Sequence, residues 1–154
     1  MADSPAPISA QLTVEKIYVK DLSLENPGAP QTFRLTEPPE VEIGLRTRAE
    51  QVEPDIYECI LTVTVTATAG DRTVFLVEVA QAGVFAVRGT TAESLQPVLA
   101  VHCPALLYPY ARQQVAAATM NAGFPPVQLA PVNFEVLYAQ QLAQQRGGVP
   151  GAAA

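Results

Sequence analysis

Chemistry in this chain would have to come from a small set of side chains. The single histidine, His102, stands beside Cys103 and Pro104, and a thiol next to an imidazole suggests an activated nucleophile. Adjacent residues on a helix point about a hundred degrees apart and do not meet as a hydrogen-bonded pair, so a packed or interfacial histidine is the expected role. Two carboxylate pairs, Glu40 with Glu42 and Asp21 with Glu25, fall on common strand faces and could imitate an acid/base dyad. Raising one pKa of a dyad takes a desolvating pocket. The strand neighbours here are charged or polar, so both pairs read as solvated surface. Cys59 and Cys103 belong to no Cys-x-x-Cys unit for zinc or redox exchange; both are expected to be reduced, buried and not bonded to each other. Gly83 and Gly89 stand alone, and no helix pattern follows Gly147-Gly148, which leaves no phosphate-cradling loop. No catalytic residue, metal or cofactor is expected. The run Leu106-Leu107-Tyr108-Pro109-Tyr110 reads as core, with part of it free to line a groove.

Strands must position these side chains first, and helices second. Gln11 to Glu25 reads as a long strand, with Leu12, Val14, Tyr18, Leu22 and Leu24 on an apolar face and Thr13, Glu15, Asp21, Ser23 and Glu25 on the other. Asn26-Pro27-Gly28-Ala29-Pro30 opens a loop expected to run to about Pro39. Glu40 to Arg48 is a second strand, with Val41, Ile43 and Leu45 opposite Glu40, Glu42, Arg46 and Arg48. The third sets Tyr57, Cys59, Leu61, Val63, Val65 and Ala67 against Glu58, Ile60, Thr62, Thr64, Thr66 and Thr68. Ala69-Gly70-Asp71-Arg72 predicts a hairpin into a fourth strand from Thr73 to Val87, where Gly83 suggests a bulge.

Helical signals follow the strands. A helix capped by Ser94 in preference to Thr90 would hold Pro97 in its first turn and run through the apolar stretch Leu95 to Cys103. Tyr108 to Asn121 reads as the longest helix, with Pro109 near its start and Gly123 beyond its end. Asn133 caps a last helix carrying Phe134, Leu137, Tyr138 and Leu142. Strands followed by segregated helices predict an α+β fold, one four-stranded antiparallel sheet with two to three helices on one side and the other face open to water. Residues 1–10 are expected to be a flexible segment, 11–145 one domain, and 146–154 a disordered tail.

The chain has 154 residues, 49% of them hydrophobic and 16% charged, which suits a globular domain with a sizeable core. Fifteen acidic against nine basic side chains give a formal charge of -6. Nucleic acid is excluded as an expected partner, because phosphate binding needs clustered Lys and Arg. An acidic surface favours basic partners or simply solubility. The opening Met1-Ala2-Asp3-Ser4-Pro5-Ala6-Pro7 has neither the charge nor the apolar run of a secretory signal, so a cytoplasmic location without membrane insertion is expected.

Four stretches go further: Ile17-Tyr18-Val19-Lys20-Asp21-Leu22-Ser23, Leu61-Thr62-Val63-Thr64-Val65-Thr66-Ala67, Cys103-Pro104-Ala105-Leu106-Leu107-Tyr108-Pro109-Tyr110-Ala111-Arg112 and Leu129-Ala130-Pro131-Val132-Asn133-Phe134. From about Leu12 to Gln145 the chain resembles the SecB family of protein-export chaperones. The resemblance implies a homotetramer, a dimer of dimers joined partly through the first strands. It implies an ATP-independent holdase that keeps unfolded preproteins export-competent in apolar grooves and delivers them to the SecA translocase motor. Groove candidates are Ile43, Leu106, Leu107, Tyr108, Tyr110, Phe124 and Leu137. The family docks the basic, zinc-binding tail of SecA on the sheet, and the matching positions are Asp21, Glu25, Leu76 and Glu78; the zinc belongs to the partner. The alternatives are a SecB-like chaperone serving a toxin-antitoxin system, which the acidic docking positions disfavour, and a β-rich small-ligand domain, which would need a closed pocket with converging polar groups.

Overall fold

Residues that alternate between apolar and polar along four runs can bury one side of a sheet and leave the other wet. In the computed structural model, which describes residues 10–147, these runs are β1 (Gln11–Glu25), β2 (Glu40–Glu53), β3 (Ile56–Ala69) and β4 (Arg72–Arg88). All pair antiparallel in the order β1-β4-β3-β2. The β3–β4 hairpin turns through Gly70 and Asp71, with Ala69 opposite Arg72 and Gly70 at φ 61°, the conformation glycine supplies without steric cost. Strand β2 continues five residues past Arg48, since Ala49, Glu50 and Gln51 pair with Cys59, Glu58 and Tyr57. A partner strand there overrides weak local propensity.

The core lies between β3 and β4 and the helices. Cys59, Leu61, Val63, Val65 and Ala67 of β3 pack with Val77, Val79, Phe85 and Val87 of β4, as the alternation of β3 predicts. Gly83 is not a bulge. It sits in regular register opposite Cys59 and Ile17, and a Cβ there would lie 2.8 Å from the Phe85 ring and 3.1 Å from Leu107. The missing side chain is the space those two occupy. A bulge of β4 falls instead at Val74, and two more fall in β1, where Glu15 and Lys20 have no partner in the register. Each extra residue reverses the inward-outward alternation. Between them Ile17 and Val19 take the helix-facing side, and Tyr18, expected on the apolar face, points to the open one.

On the helical side Thr91, not Ser94, is the cap: its Oγ1 accepts from Ser94 N–H at 3.2 Å. Pro97 then falls at the end of α1 (Ala92–Pro97), and a π-helical turn over Val98–His102 follows before α2 (Cys103–Asn121). Proline lacks a donor and crowds the carbonyl one turn back; for Pro104 that carbonyl belongs to Ala100, inside the widened turn, which is a usual way to absorb the clash. The separate helices expected before and after Tyr108 are thus one nearly continuous run. Pro104 lies in the first turn of α2, where its missing N–H costs little. Pro109 is inside the helix, on its exposed side. The helix ends as predicted, with Gly123 at φ 96° and its N–H on Met120 O.

From Ala122 to Asn133 the chain turns at Ala122-Gly123 and then has no regular secondary structure, and side chains hold it. Thr119 Oγ1 accepts from Val127 N–H at 2.9 Å, Tyr108 O–H donates to Ala130 O, and Asn26 Nδ2 donates to Ala122 O at 3.0 Å. Asn133 Oδ1 caps α3 (Phe134–Gly147) through Val136 N–H at 3.1 Å. Phe134 meets Tyr108 edge-on with centroids 5.8 Å apart. Arg146 and Gly147 belong to α3; the rest of the expected tail, and residues 1–9, lie outside the described residues.

Two outcomes follow from this packing. Gly83→Ala is expected to destabilise the fold by about 1–3 kcal/mol, the usual cost of overpacking a core, read as a fall in the denaturant midpoint at unchanged slope; a neutral substitution would contradict the close approach. Cys59 and Cys103 are both buried and free. The Cys103 thiol is raised far above its usual range by its hydrogen bond to Cys59 and by burial, so thiol reagents should find no reactive cysteine until the protein unfolds, and then two.

Candidate functional site

Beyond the Lys20 bulge, β1 returns to its original alternation, and Asp21, Ser23 and Glu25 face the open side of the sheet. Glu25 pairs with Leu76, Ser23 with Glu78 and Asp21 with Ala80. Glu78 therefore stands diagonally between Asp21 and Glu25, at spacings of roughly 5–8 Å between neighbouring strand positions. Asp21 and Glu25 are exposed, Leu76 and Glu78 half-buried. The four residues expected to share a face do so. The same row continues across β3 and β2 through Thr66 to Glu42, an acidic group that sequence reasoning treated only as half of a carboxylate pair. Strand order was the missing information: a repeat of two assigns faces but not neighbours.

Next to this acidic corner the face turns mixed. Glu58 of β3 accepts hydrogen bonds from Tyr18 O–H and from Lys20 Nζ, the latter at 2.7 Å. Its carboxyl is held below the usual range by the Lys20 bond first and the Tyr18 bond second, against an opposing effect of burial, with the charges of Lys20 and Arg48 adding to the lowering. Burial and the bond to Glu58 push the Tyr18 hydroxyl up to about 12. A shallow cleft of about 370 Å³ lies here, bordered by Lys20, Asp21, Arg46, Arg48 and Glu78 over a floor that includes Ala80. Its side chains are charged and wet, a poor setting for acid/base catalysis.

The apolar candidates divide. On α2, Leu106 and Tyr110 are one turn apart and turned outward, 41% and 47% exposed. Leu107 and Tyr108 point inward at 0% and 8%; in this fold they are core side chains and offer no surface to a bound chain. His102 is exposed and Cys103 buried, so they form no pair. Ile43 is 46% exposed on the helix-facing side of β2. Leu137 is half-buried against the core. Phe124 lies between Phe75 and Phe33, with centroids 5.0 and 5.1 Å away, beside a cleft of about 390 Å³ lined also by Leu35, Pro39 and Val74. Phe33 and Leu35 were missed in the loop after β1. Their signal was two large apolar residues among prolines, both left exposed by the structure.

The model of the family described as preprotein translocase subunit SecB matches residues 6–145. The chain belongs to the SecB family. It is 55% identical over 137 residues to the protein-export protein SecB of Azoarcus sp. (strain BH72), covering 88% of this chain and 91% of that one. To its SecB relative in Chromobacterium violaceum it is 53% identical, covering 86% and 89%. Among solved structures the SecB-like chaperone of Mycobacterium tuberculosis, in complex with a ChAD peptide from the HigA1 antitoxin, superposes with a TM-score of 0.63 at 17% identity, over 79% of this chain and 90% of that one. That likeness is one of fold. No helix among the described residues is long and apolar enough to cross a membrane.

In this chain, Glu58 links the sheet face to pH. A lowered carboxyl pKa stabilises the fold above the ordinary value of 4.5, and that contribution is lost as pH falls through the lowered folded value. Glu58→Gln should leave stability at pH 7 within about 1 kcal/mol of the parent, as for other surface pairs. It should also flatten the acid side of the pH–stability curve. Equal acid sensitivity in both proteins would rule the linkage out.

Proposed function

We propose that the chain is an ATP-independent holding chaperone that binds unfolded preproteins, keeps them competent for export, and hands them to SecA. The observation that carries this reading is the identity with protein-export relatives over most of both chains. The reading includes no enzymatic step, a cytoplasmic location, and assembly as a homotetramer. Exposed Ile43, Leu106 and Tyr110, with Phe124 beside its cleft and Leu137 on α3, are the client surface it favours. Burying on the order of 1,000 Å² of apolar client surface yields roughly 25 kcal/mol gross at about 25 cal/mol per Å², most of which chain ordering and association remove. Holding therefore rests on several weak contacts, and a tetramer gains by presenting them together to one long chain.

The docking face for SecA is, on this reading, Asp21, Glu25, Leu76 and Glu78, where a basic tail would meet three carboxylates around one apolar side chain. The chaperone reading is tested by light scattering: the purified protein should suppress aggregation of a denatured preprotein without nucleotide and ignore the folded form. Failure of that suppression would overturn it. The docking face is tested separately with Asp21→Lys combined with Glu78→Lys. Like charges set against a basic tail cost several kcal/mol, so most SecA binding should disappear in titration calorimetry while client holding and thermal unfolding stay as in the parent. Normal SecA binding by the double variant would move the docking face elsewhere.

A further inference from the structure

The sheet has two outer strands of unlike character. β1 is interrupted at Glu15 and Lys20, whereas β2 keeps an unbroken ladder with β3 from Glu40 to Gln51 and holds no proline over that length. Bulges, prolines and charged side chains are the common means of keeping an edge from pairing, and this stretch of β2 carries only the last. It does have a charge order that reads the same against its own reverse. If two copies lie antiparallel with Gly44 opposite Gly44, then Glu42 faces Arg46 and Glu40 faces Arg48 on the open side. On the helix-facing side Ile43 meets Leu45 and Val41 meets Thr47. Every pair recurs on the far side of the twofold axis.

Other alignments are worse. Centring on Glu42 or on Arg46 sets each against its own copy, centring on Leu45 opposes Glu40 with Glu50, and centring on Ile43 keeps Glu40 with Arg46 as the sole kind of opposite-charge pair. Among the described residues none of the four charged side chains makes a salt bridge, the one found there being Lys20–Glu58; Arg48 acts on Glu58 only through its charge. Val41 and Ile43 are 44% and 46% exposed. Cross-strand pairs of opposite charge and of apolar side chains are the unit that stabilises a sheet. Here both kinds are complementary in one register.

We propose that β2 is a self-recognition edge, through which two copies of this chain join antiparallel about Gly44 into one continuous sheet. This does not rest on the chaperone reading, and it uses the opposite edge from β1. Isologous pairing at both edges of a sheet would propagate without closing. Built on exposed charge pairs, the β2 contact is weak, concentration-dependent and loosened by salt.

The test places a cysteine at the axis. A side chain at Gly44 meets nothing within 4 Å, so Gly44→Cys leaves the protomer undisturbed, and the native Cys59 and Cys103 are buried. Directly opposed strand residues have Cα atoms about 4.5–5.5 Å apart, within the span of a disulfide. A control, Glu50→Cys, would be roughly 40 Å from its copy in the same register at about 3.4 Å per residue. Under mild oxidation at low salt the full-length Gly44→Cys protein should form a covalent dimer and the control should not. Adding Glu40→Arg with Glu42→Arg makes the edge wholly cationic, and Arg46→Glu with Arg48→Glu makes it wholly anionic. Each set alone should slow cross-linking by about tenfold or more, given the size of cross-strand charge pairs. An equimolar mixture of the two should restore it, in covalent dimers containing one chain of each kind and in sedimentation velocity. Restoration on mixing also excludes misfolding as the cause of the loss. Charge variants that cross-link alone as well as the parent, or a mixture that stays uncoupled, would overturn the proposal. So would a thiol at Gly44 that couples to denatured client chains and never to its copy, an outcome that gives the edge to extended clients instead.

Discussion

The register of β4 between β1 and β3 is the constraint on which the rest of the molecule depends. Both neighbours take their facing from it: odd positions from Phe75 to Val87 go to the helices, and even positions from Leu76 to Ala86 go to the open side. A slip of one residue would exchange the two sets. Leu76 and Glu78 would then enter the core while Val77 and Val79 met water. The acidic corner and the hydrophobic core are two results of one alignment, pinned by the two-residue turn at Gly70 on one side and by Phe85 filling the place of a Gly83 side chain on the other.

What the amino-acid order revealed was whatever depends on local repetition. β3 was readable because Thr alternates with Val and Leu over its whole length, and the ends of α2 and α3 because Gly123 and Asn133 do chemically specific things to a helix terminus. What it concealed depends on partners distant in the chain. Nothing around Glu15 or Lys20 announces an unpaired residue; the bulges exist because β4 sets the spacing. Ala49-Glu50-Gln51 becomes strand because β3 lies alongside. The early start of α2 was hidden by prolines, which mark helix beginnings in an isolated stretch but were accommodated here by a π-helical turn and an exposed helix side.

The same division applies to the site. Asp21 with Glu25, and Leu76 with Glu78, each needed only parity within one strand, and the second bulge falls before both members of the first pair. Placing Glu42 in that row required strand order. The cluster from Leu106 to Tyr110 read as one feature, but successive helical residues face different ways, and α2 sends Leu107 and Tyr108 inward while Leu106 and Tyr110 stay outside. Phe33 and Leu35 went unmarked because a proline-rich connection carries no periodicity to interpret.

The irregular stretch from Ala122 to Asn133 bears on the order in which the molecule opens. The amides of the sheet are locked in ladders, but this stretch is fixed by isolated bonds from Thr119, Tyr108 and Asn26. Such a segment can detach with α3 as one cooperative unit at a free-energy cost below that of global unfolding. Amides of this stretch and of α3 should therefore exchange with solvent ahead of those of β3 and β4. Detachment would bare Phe134, Leu129 and the inner side of Tyr108, which are buried in the closed arrangement, and so would add to the apolar surface on offer.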